Sequence, residues 1–493
     1  MFDRNNPEIL WVSPDSSSGG QGTWENPYCL IREALQVIKP GNTIVLKEGI
    51  YRDNQTFEIS GTPQNPVRIV ADDGATVIIE ESCCFFYDTS DLIISGIIFK
   101  NSPFGAISVI GTCKRNRFDS LQFINCGSIK ESSCTMYFGG SGGCFNVVEN
   151  CRFERENQFN DYLQTTDNAS IAVMISEGDT NDSTPLLDHI LRRNHFSNYG
   201  IAVLIGTRDS TTNPYGHIVE FNTIRRCASD GIVVKCGDTQ IRGNLLENCR
   251  SCSISIQAGI GSIIENNRIT DSNTGISING TGHSVTNNCL VRCKDEAIRV
   301  CGKQNEEKAA ASNLLIEKNT LIQCCTPENQ HSVFIRIEPG TTSIIQQNLF
   351  HGKMHPYHIS DFVLNQKEEF NSAKQMKTET VIDNNLGSGD CEILKGITAR
   401  SVEFIKNETD SFENDSGYGA SGWVLKPEGF DIDGDEHDKE TDYLEASVLV
   451  DDDGNLIIPG ENFNDDIFSR YYSESMDLQN FYFEENENGY PEI

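Results

Sequence analysis

A strand-like segment recurs in this sequence at a fixed interval of 22 residues, and that repeat limits the fold more than any other feature. The four copies are Gly231–Lys235, Ser253–Gln257, Gly275–Asn279 and Ala297–Cys301. In each copy two β-branched residues alternate with more variable ones, which is the period-two pattern of a strand with one buried face. One strand per repeat in constant register predicts a solenoid of stacked parallel strands. The last residues of the four copies should then form an outward-facing column, here called the Lys235 column: Lys235, Gln257, Asn279 and Cys301.

A recurring asparagine marks the same repeat from about Leu92 to Leu386. It follows an aliphatic residue and two variable positions, and an apolar residue stands two positions after it. The asparagines at this landmark are Asn194, Asn222, Asn244, Asn267, Asn288, Asn319, Asn348 and Asn385. Asparagine tolerates the left-handed backbone region, and its amide can bond the backbone of the turn and of the next rung. We therefore expect an internal asparagine ladder at the solenoid corners, with a structural role.

The sequence divides into three regions. Residues 1–60 are expected to form an N-terminal strand and helix cap, residues 61–390 a parallel β-helix, and residues 391–493 an acidic, partly disordered C-terminal extension. Apolar residues at helical spacing over 30–38 predict an amphipathic helix that covers the open end of the solenoid. Strands are expected at 43–47, 66–71 and 75–80, between glycine, proline and asparagine turns.

The formal net charge of −33 is concentrated at the C-terminal end. Residues 401–493 hold 26 acidic and 4 basic side chains, so the first 400 residues carry a net charge of only −11. Nucleic-acid binding depends on neutralising phosphates, and this charge argues against it. An anionic substrate requires a local basic patch or a bound cation to offset the negative electrostatic field of the protein.

The 18 cysteines do not have the spacing of a zinc site. Five of them follow the asparagine landmark, or its equivalent, by five residues: Cys126, Cys227, Cys249, Cys293 and Cys324. Small thiols stacked in the interior are the favoured interpretation. Bridges between neighbouring rungs stay open as an alternative, because stacked strands lie within disulfide range, and they would require an oxidising compartment.

No stretch approaches the roughly 18 uninterrupted apolar residues of a membrane span, so none is expected. The N-terminal residues Met1–Pro7 lack a basic segment followed by an apolar one, so no secretory signal is visible. A monomer is expected.

Insertions break the repeat at 155–188, 206–216 and 303–313. Loops of this kind wall a groove on an otherwise flat solenoid face. Arg208 lies in the second insertion, one rung before Lys235, and is a candidate substrate-binding residue beside that face.

The common catalytic motifs are absent: the sequence has no HExxH, no Gly-x-Ser-x-Gly elbow after a strand and no phosphate-binding loop. What stands out is Lys235 on a regular strand among polar column neighbours. A lysine can act as a base where burial or nearby cations lower its pKa. The chemistry that suits it is abstraction of a proton α to a carboxyl group, followed by β-elimination. A Ca²⁺ ion or an arginine must then neutralise the carboxylate, and Asp230 is the nearest candidate metal ligand. The structural alternative is an exposed lysine that only adds solubility.

Two parts of the sequence resemble the alginate lyase and chondroitinase B family of polysaccharide lyases, which are secreted β-helix proteins. The N-terminal cap matches at Trp11–Pro14, Gly22-Thr23, Asn26-Pro27, Pro40–Leu46, Gly49–Tyr51 and Pro66–Ile69. The catalytic segment matches at Asp230–Lys235, Asn244, Asn248-Cys249 and Gln257–Gly259. The resemblance implies a right-handed parallel β-helix, an all-β fold, over roughly residues 10–350.

The same resemblance assigns roles to individual residues. Lys235 matches the Brønsted base of the family, and Asp230 matches one of its calcium-ligand acids. The catalytic arginine of the family falls on Gln257, and the second acidic calcium ligand falls on Ala228. Gln257 and Asn279 are expected to contact substrate from the Lys235 column. The resemblance implies an acidic polysaccharide as the partner and Ca²⁺ as the cofactor.

Two hypotheses for function follow. The first is a polysaccharide lyase that cleaves a uronic-acid-containing glycan by β-elimination at an impaired or modified site. The second is a non-catalytic carbohydrate-binding or surface-structural β-helix protein. A glycoside hydrolase or an epimerase is a third option. A hydrolase needs two carboxylates on the groove, and the candidates Asp230 and Glu338 are several rungs apart.

Overall fold

The structure is a computed structural model of the chain. It describes residues 2–127, 134–140, 142–156, 170–176, 186–206, 215–302, 310–324, 333–338 and 340–351, and beyond residue 351 only the backbone of short strands. The chain separates into two compact units. The first comprises Met1–Asn407 with Tyr418–Ala420, and the second comprises Glu408–Gly417 with Ser421–Ile493.

Three long sheets make up the first unit. Sheet 1 consists of Ile9–Val12, Thr43–Leu46, Val67–Ala71, Leu92–Ser95, Arg117–Asp119, Val147–Glu149, Ile190–Arg192, Ile218–Glu220, Gln240–Arg242, Ile263–Glu265, Ser284–Thr286, Leu314–Glu317, Thr342–Gln346 and Glu379–Asp383. Sheet 2 consists of Gly49–Tyr51, Val77–Glu80, Ile98–Lys100, Gln122–Ile124, Arg152–Glu154, His195–Ser197, Thr223–Arg225, Leu245–Glu247, Arg268–Thr270, Cys289–Val291, Thr320–Ile322, Leu349–His351, Asn385–Ser388 and Val402–Ile405. Sheet 3 consists of Gln55–Phe57, Cys84–Tyr87, Ile107–Ile110, Cys134–Gly139, Ile171–Ile175, Ile201–Ile205, Ile232–Val234, Cys252–Ile256, Thr274–Ile278, Glu296–Val300, Val333–Ile337 and Tyr357–Ile359.

Each turn of the coil contributes one strand to each sheet, and the strands pair in parallel with the strands of the turns before and after. In sheet 3, for example, Val234 pairs with Ile256, which pairs with Ile278. The fold is therefore a right-handed parallel β-helix, which confirms the solenoid that the repeat predicts. Strands formed by residues 9–57 already belong to the three sheets, so the coil includes much of the N-terminal region.

Inward-facing side chains of all three sheets form one continuous apolar core. Sheet 2 adds a stack of nearly parallel phenylalanine rings, one from each of four successive rungs. The rings of Phe99 and Phe123, Phe123 and Phe153, and Phe153 and Phe196 lie 5.2, 4.5 and 4.8 Å apart. Stacked identical side chains are a direct consequence of constant register, since each rung presents the same position at the same height.

The corner between sheets 1 and 2 holds the asparagine column. The Oδ1 atom of Asn267 accepts hydrogen bonds from the backbone N–H and the Nδ2 of Asn244, both at 3.0 Å. The same pattern links Asn194 through to Asn348. The left-handed residue of the corner stands one position before the asparagine, as at Gly243 before Asn244. The backbone reversal therefore falls on that preceding residue, and the amide points inward to satisfy the backbone groups that the corner exposes.

The corner between sheets 2 and 3 is built in the same way, but the buried side chain after the left-handed residue is a thiol or a hydroxyl. A left-handed residue, such as Arg226 or Asn248, precedes a buried Cys or Ser. The five cysteines of the repeat all lie here and are at most 1% exposed. All sixteen cysteines of the described residues are free thiols. The interior interpretation of the cysteine column is confirmed for this part of the chain.

The third corner, between sheets 3 and 1, carries imidazoles, which the sequence analysis did not single out. The Nδ1 of His189 accepts the backbone N–H of Asn146, and the Nδ1 of His217 accepts that of His189. Asn116 and Asn146 occupy this column in earlier rungs, linked by the same kind of bond. Imidazole and amide therefore serve the same purpose, which is to accept the backbone N–H of the neighbouring rung.

Asn267→Ala is expected to lower the free energy of unfolding by about 3–5 kcal/mol. The change removes the acceptor of the Asn244 backbone N–H and the donor to the Ile241 carbonyl, and each buried group left unpaired costs roughly 1–3 kcal/mol. Urea denaturation measures the loss. Gln122→Ala, on the exposed face of sheet 2, is the control and should change stability by less than about 0.5 kcal/mol. Equal effects of the two substitutions would contradict a stabilising ladder.

His217→Asn is expected to make the protein less sensitive to acid. Burial lowers the pKa of His217 to about 3, from an ordinary value near 6.5. The unfolded chain therefore binds a proton between those values that the folded chain does not, so stability falls as the pH falls below about 6.5. One such histidine lowers the free energy of unfolding by about 2 kcal/mol between pH 7 and pH 5.

Asparagine keeps an acceptor for the His189 N–H without this titration, as Asn146 does for Asn116. The measurement is the pH dependence of the unfolding free energy, compared between the variant and the wild type. If the variant kept the wild-type pH dependence of the unfolding free energy, His217 would not be a source of the sensitivity to acid. His283→Asn is a parallel case, because burial lowers the pKa of His283 to about 4.

One short helix, Ile31–Leu35, lies in the N-terminal region where the sequence predicts a longer one. Its Ile31 and Ala34 are buried in the main core. The carboxylate of Glu33 accepts the backbone N–H groups of Cys29 and Leu30, which fixes the start of the helix. None of the helices in the described part of the chain has the length and apolar character needed to cross a membrane.

The second unit contains a small sheet of Leu425–Lys426, Val448–Val450 and Leu456–Ile457. The first two strands are parallel, and the last two are antiparallel. Val402–Ile405, also part of the predicted acidic extension, forms the last strand of sheet 2, and the remaining residues of that extension lie outside the described residues.

Candidate active site

The Lys235 column stands at the ends of successive strands of sheet 3. The backbone N–H of Lys235 bonds the Ile205 carbonyl at 2.8 Å, that of Gln257 bonds Val234 at 2.7 Å, and that of Asn279 bonds Ile256 at 2.8 Å. The backbone N–H groups of Cys301 and Glu338 continue the series with bonds of 2.9 and 3.1 Å to the carbonyls of Ile278 and Val300 in the preceding rungs. These bonds place the five residues directly above one another, about 4.8 Å apart. The column predicted from the repeat is present, and Glu338 extends it.

The column faces away from the core. Val234, Ile256 and Ile278, which directly precede it in the chain, belong to the interior cluster, so the next residue of each rung points outward. Lys235 and Gln257 are half-buried, whereas Asn279 and Cys301 are buried.

The side chains of Gln257, Asn279 and Cys301 make weak or local contacts. The Nε2 of Gln257 lies 3.4 Å from the Ser255 hydroxyl, and the Oδ1 of Asn279 accepts the N–H of Gly280 at 2.9 Å. The Cys301 thiol lies 3.3 Å from the Ser277 hydroxyl. The amide of Gln257 is thus held only loosely by its own strand.

Asp230 lies just before the strand Ile232–Val234 and is 3% exposed. Its Oδ1 accepts the backbone N–H of Cys252 at 2.9 Å, and its Oδ2 accepts the Ser229 hydroxyl at 3.2 Å. Burial raises the pKa of this carboxyl, while hydrogen bonds and the charge of Lys235 act in the opposite direction. Asp230 is therefore close enough to Lys235 to interact with it electrostatically, and it ties its segment to the following rung.

The residues around Asp230 do not fit the Ca²⁺ ion that the resemblance implies. Calcium takes about six to eight oxygen ligands, and its affinity depends on how many are charged. Asp230 offers one carboxylate, already engaged by two hydrogen bonds, and position 228 is alanine. Throughout the described ranges, no three His, Cys, Asp or Glu side chains come together in a way that could hold a metal ion.

The outer face of sheet 3 is apolar on the N-terminal side of Lys235. Ile201, Leu204 and Val233 form a cluster separate from the core, and Ile171 and Met174 pack against it. Lys235 therefore has aliphatic side chains toward one end of the sheet and the amides of its column toward the other.

The C-terminal side of the same face carries two ion pairs. Arg299 lies 2.8 Å from Glu338 through its Nε, and Glu338 also accepts the backbone N–H of Gly302. Arg336 and the buried Glu296 form the second pair, at 2.7 Å. Sequence reasoning missed both pairs, because the partners are 39 and 40 residues apart across an insertion. The sequence feature that could have revealed these pairs is the strand pattern of Val333–Ile337, because it sets how this strand aligns with Glu296–Val300.

The predicted site residues are therefore only partly brought together. Lys235, Gln257 and Asn279 share a column, and Asp230 lies before the opposite end of the strand Ile232–Val234, within range of the charge of Lys235. Arg208 lies outside the described residues. Asp230 and Glu338 are four rungs apart, about 19 Å, which is too far for the two carboxylates of a glycosidase.

The right-handed parallel β-helix is the architecture of a class of polysaccharide lyases, and comparison with known proteins agrees. The sequence profile of the Chondroitinase B family matches residues 29–416. The chain belongs to the Chondroitinase B family.

Relatives and solved structures support the same fold. The chain is 26% identical over 165 residues to Pectate lyase L of Thermoclostridium stercorarium, a match that covers 32% of this chain and 11% of that protein. It superposes on the PL6 family alginate lyase AlyGC with a TM-score of 0.59 and 19% identity, covering 84% of this chain and 56% of that one. A mannuronic acid-specific family 6 lyase from human gut microbiota gives a TM-score of 0.54 and 16% identity, covering 81% and 91%. The chain thus spans about half of AlyGC and a small part of the pectate lyase.

Proposed function

We propose that this protein is a polysaccharide lyase that cleaves a uronic-acid-containing glycan by β-elimination, with Lys235 as the base. Gln257 and Asn279 bind the sugar that Lys235 deprotonates. The observation that carries the proposal is the position of Lys235 on the outward column of sheet 3, in a chain of a lyase family.

The reaction requires three changes at one sugar. Unprotonated Lys235 removes the proton from the carbon that bears the carboxyl group. The electron pair of that C–H bond forms a carbon–carbon double bond, and the bond from the β carbon to the glycosidic oxygen breaks. The leaving oxygen takes a proton from solvent, and Lys235 later returns its own proton to solvent. The products are a new reducing end and an unsaturated uronide end, with no net gain of water.

The surroundings of Lys235 favour this role. The apolar cluster of Ile201, Leu204 and Val233 keeps one side of the site poor in water, and a base is most useful where its unprotonated form is favoured. The amides of Gln257 and Asn279 stand one and two rungs away, within reach of the substituents of a bound sugar. Calcium, the ion implied by the resemblance, enters no step, because the described donors do not fit it.

The test is an ultraviolet assay for unsaturated uronide ends with alginate, pectate and glycosaminoglycans, each with and without EDTA. Product from at least one of these glycans supports the lyase. Glycan binding without product from any of them would contradict it and favour a non-catalytic carbohydrate-binding β-helix. The substitution of Gln257 for the family's arginine is the observation that favours that second function.

A further inference from the structure

The strongest constraint on the substrate comes from charge. Removing a proton α to a free carboxylate places a second negative charge on that group, so the transition state needs a positive group beside it. An uncharged carboxyl derivative, such as an ester, acquires only one negative charge and has a more acidic α proton. The charges around Lys235 therefore indicate which form of the sugar the site can process.

Among the described residues, positive charge is scarce at this position, and Arg208 lies outside them. Lys235 must be neutral to act as the base. Arg299 lies three rungs from Lys235, about 14 Å, and is paired with Glu338. That distance exceeds the Debye length of about 8–10 Å at ordinary salt concentrations. Arg336 is one rung further and is paired with Glu296.

The acid Asp230 lies within range of the charge of Lys235. When ionised it opposes further negative charge on the substrate. One carboxylate does not make a calcium site, so Asp230 adds a negative group without the ion that would reverse its effect.

Gln257 offers instead a neutral hydrogen-bond donor. Within the part of the chain that the structure describes, its amide nitrogen has a single long contact, 3.4 Å to the Ser255 hydroxyl, so it can turn toward a bound sugar. An amide N–H suits a carbonyl oxygen that becomes a singly charged enolate, in the manner of an oxyanion-hole donor. It cannot supply the full charge that a dianion needs.

We infer that the preferred substrate carries its uronate carboxyl as a neutral ester, such as a methyl-esterified polyuronide, with Gln257 as the donor to the ester carbonyl. The inference rests on the proposed lyase function and narrows its substrate class. Bond changes are those of the elimination described above, and the ester group leaves the reaction intact on the unsaturated sugar.

The experiment compares polygalacturonate and alginate, each as the free acid and as the methyl ester at matched chain length. The wild type is expected to form unsaturated ends on an ester at least about tenfold faster than on the matching acid, with no loss in EDTA. Gln257→Arg should raise the rate on the acid relative to the ester by about tenfold or more, because it supplies the missing charge. Gln122→Arg, which adds the same charge on the exposed outer face of sheet 2, should leave the ratio unchanged.

Each other outcome is informative. A wild-type preference for the free acid that EDTA abolishes would overturn the ester inference and leave the lyase standing. Absence of elimination on all four substrates would overturn the ester inference, and the assay with glycosaminoglycans then shows whether the lyase itself stands or falls. If Gln257→Arg does not fold, the ester-to-acid ratio of the wild type decides the question alone.

Discussion

Lys235→Ala is expected to lower the rate of elimination by roughly 10²–10⁴-fold, the usual contribution of a general base. The side chain is half-buried on the outer face of sheet 3, and its removal leaves the interior residue Val234 and the backbone bond to Ile205 in place. The fold and the affinity for glycan should therefore change little. The measurements are the turnover number for unsaturated product and the dissociation constant for the same glycan.

Two further variants separate base catalysis from charge. Lys235→Arg keeps a positive group at the site, but a guanidinium is not deprotonated near neutral pH, so turnover should remain as low as in the alanine variant. Lys294→Ala removes an exposed lysine after the second corner and should leave turnover unchanged. Near-wild-type turnover in Lys235→Arg would contradict the assignment of Lys235 as the base.

Phe153→Ala is expected to lower the free energy of unfolding by about 3–5 kcal/mol. Phe153 is completely buried, and its ring is stacked between Phe123 at 4.5 Å and Phe196 at 4.8 Å. The substitution leaves a cavity and ends the stacking on both sides, since constant register gives the neighbouring rings no other partner at that height. Because each rung of a solenoid contacts mainly its neighbours, the weakened region should be these three rungs.

Denaturant unfolding measures the total loss, and amide hydrogen exchange shows where it falls. Phe104→Ala is the matched control, because Phe104 is 71% exposed and its loss should change stability by less than about 0.5 kcal/mol. If Phe153→Ala raised the exchange rates by the same factor throughout the coil, the effect of the phenylalanine stack would not be local.

Much of the fold could be predicted from local patterns. Alternation in Ile232–Val234 and its copies predicts the strands of sheet 3, and Asn244 and its equivalents predict one corner. The corner of His189 and His217 was missed, although its signal is the same: a polar residue two positions before a buried aliphatic one, such as Leu191 or Val219. Asn, His, Thr and Ser alternate at that position, and a search for one residue type does not find the column. These residues share the ability to accept the backbone N–H of the neighbouring rung, and the residue type alone does not reveal that role.

The site could be predicted only in part, for a different reason. The spacing of 22 residues is enough to place Gln257 above Lys235, because no insertion intervenes. Glu338 joins the same column 37 residues after Cys301, and the insertion between them hides the register. The burial of Asp230 and its bond to Cys252 depend on how one rung lies on the next, which sequence spacing does not specify.

Cleavage in water labelled with heavy oxygen tests the central claim most directly. Elimination forms the new ends without adding water across the broken bond, whereas hydrolysis places one solvent oxygen in the product. Mass spectrometry of oligosaccharides released by the wild type should show unsaturated ends without the heavy isotope at the cleaved linkage, and Lys235→Ala should release almost none. Saturated non-reducing ends, with the label in the hydroxyl of the new reducing end, would contradict the proposed elimination and the role of Lys235 as its base.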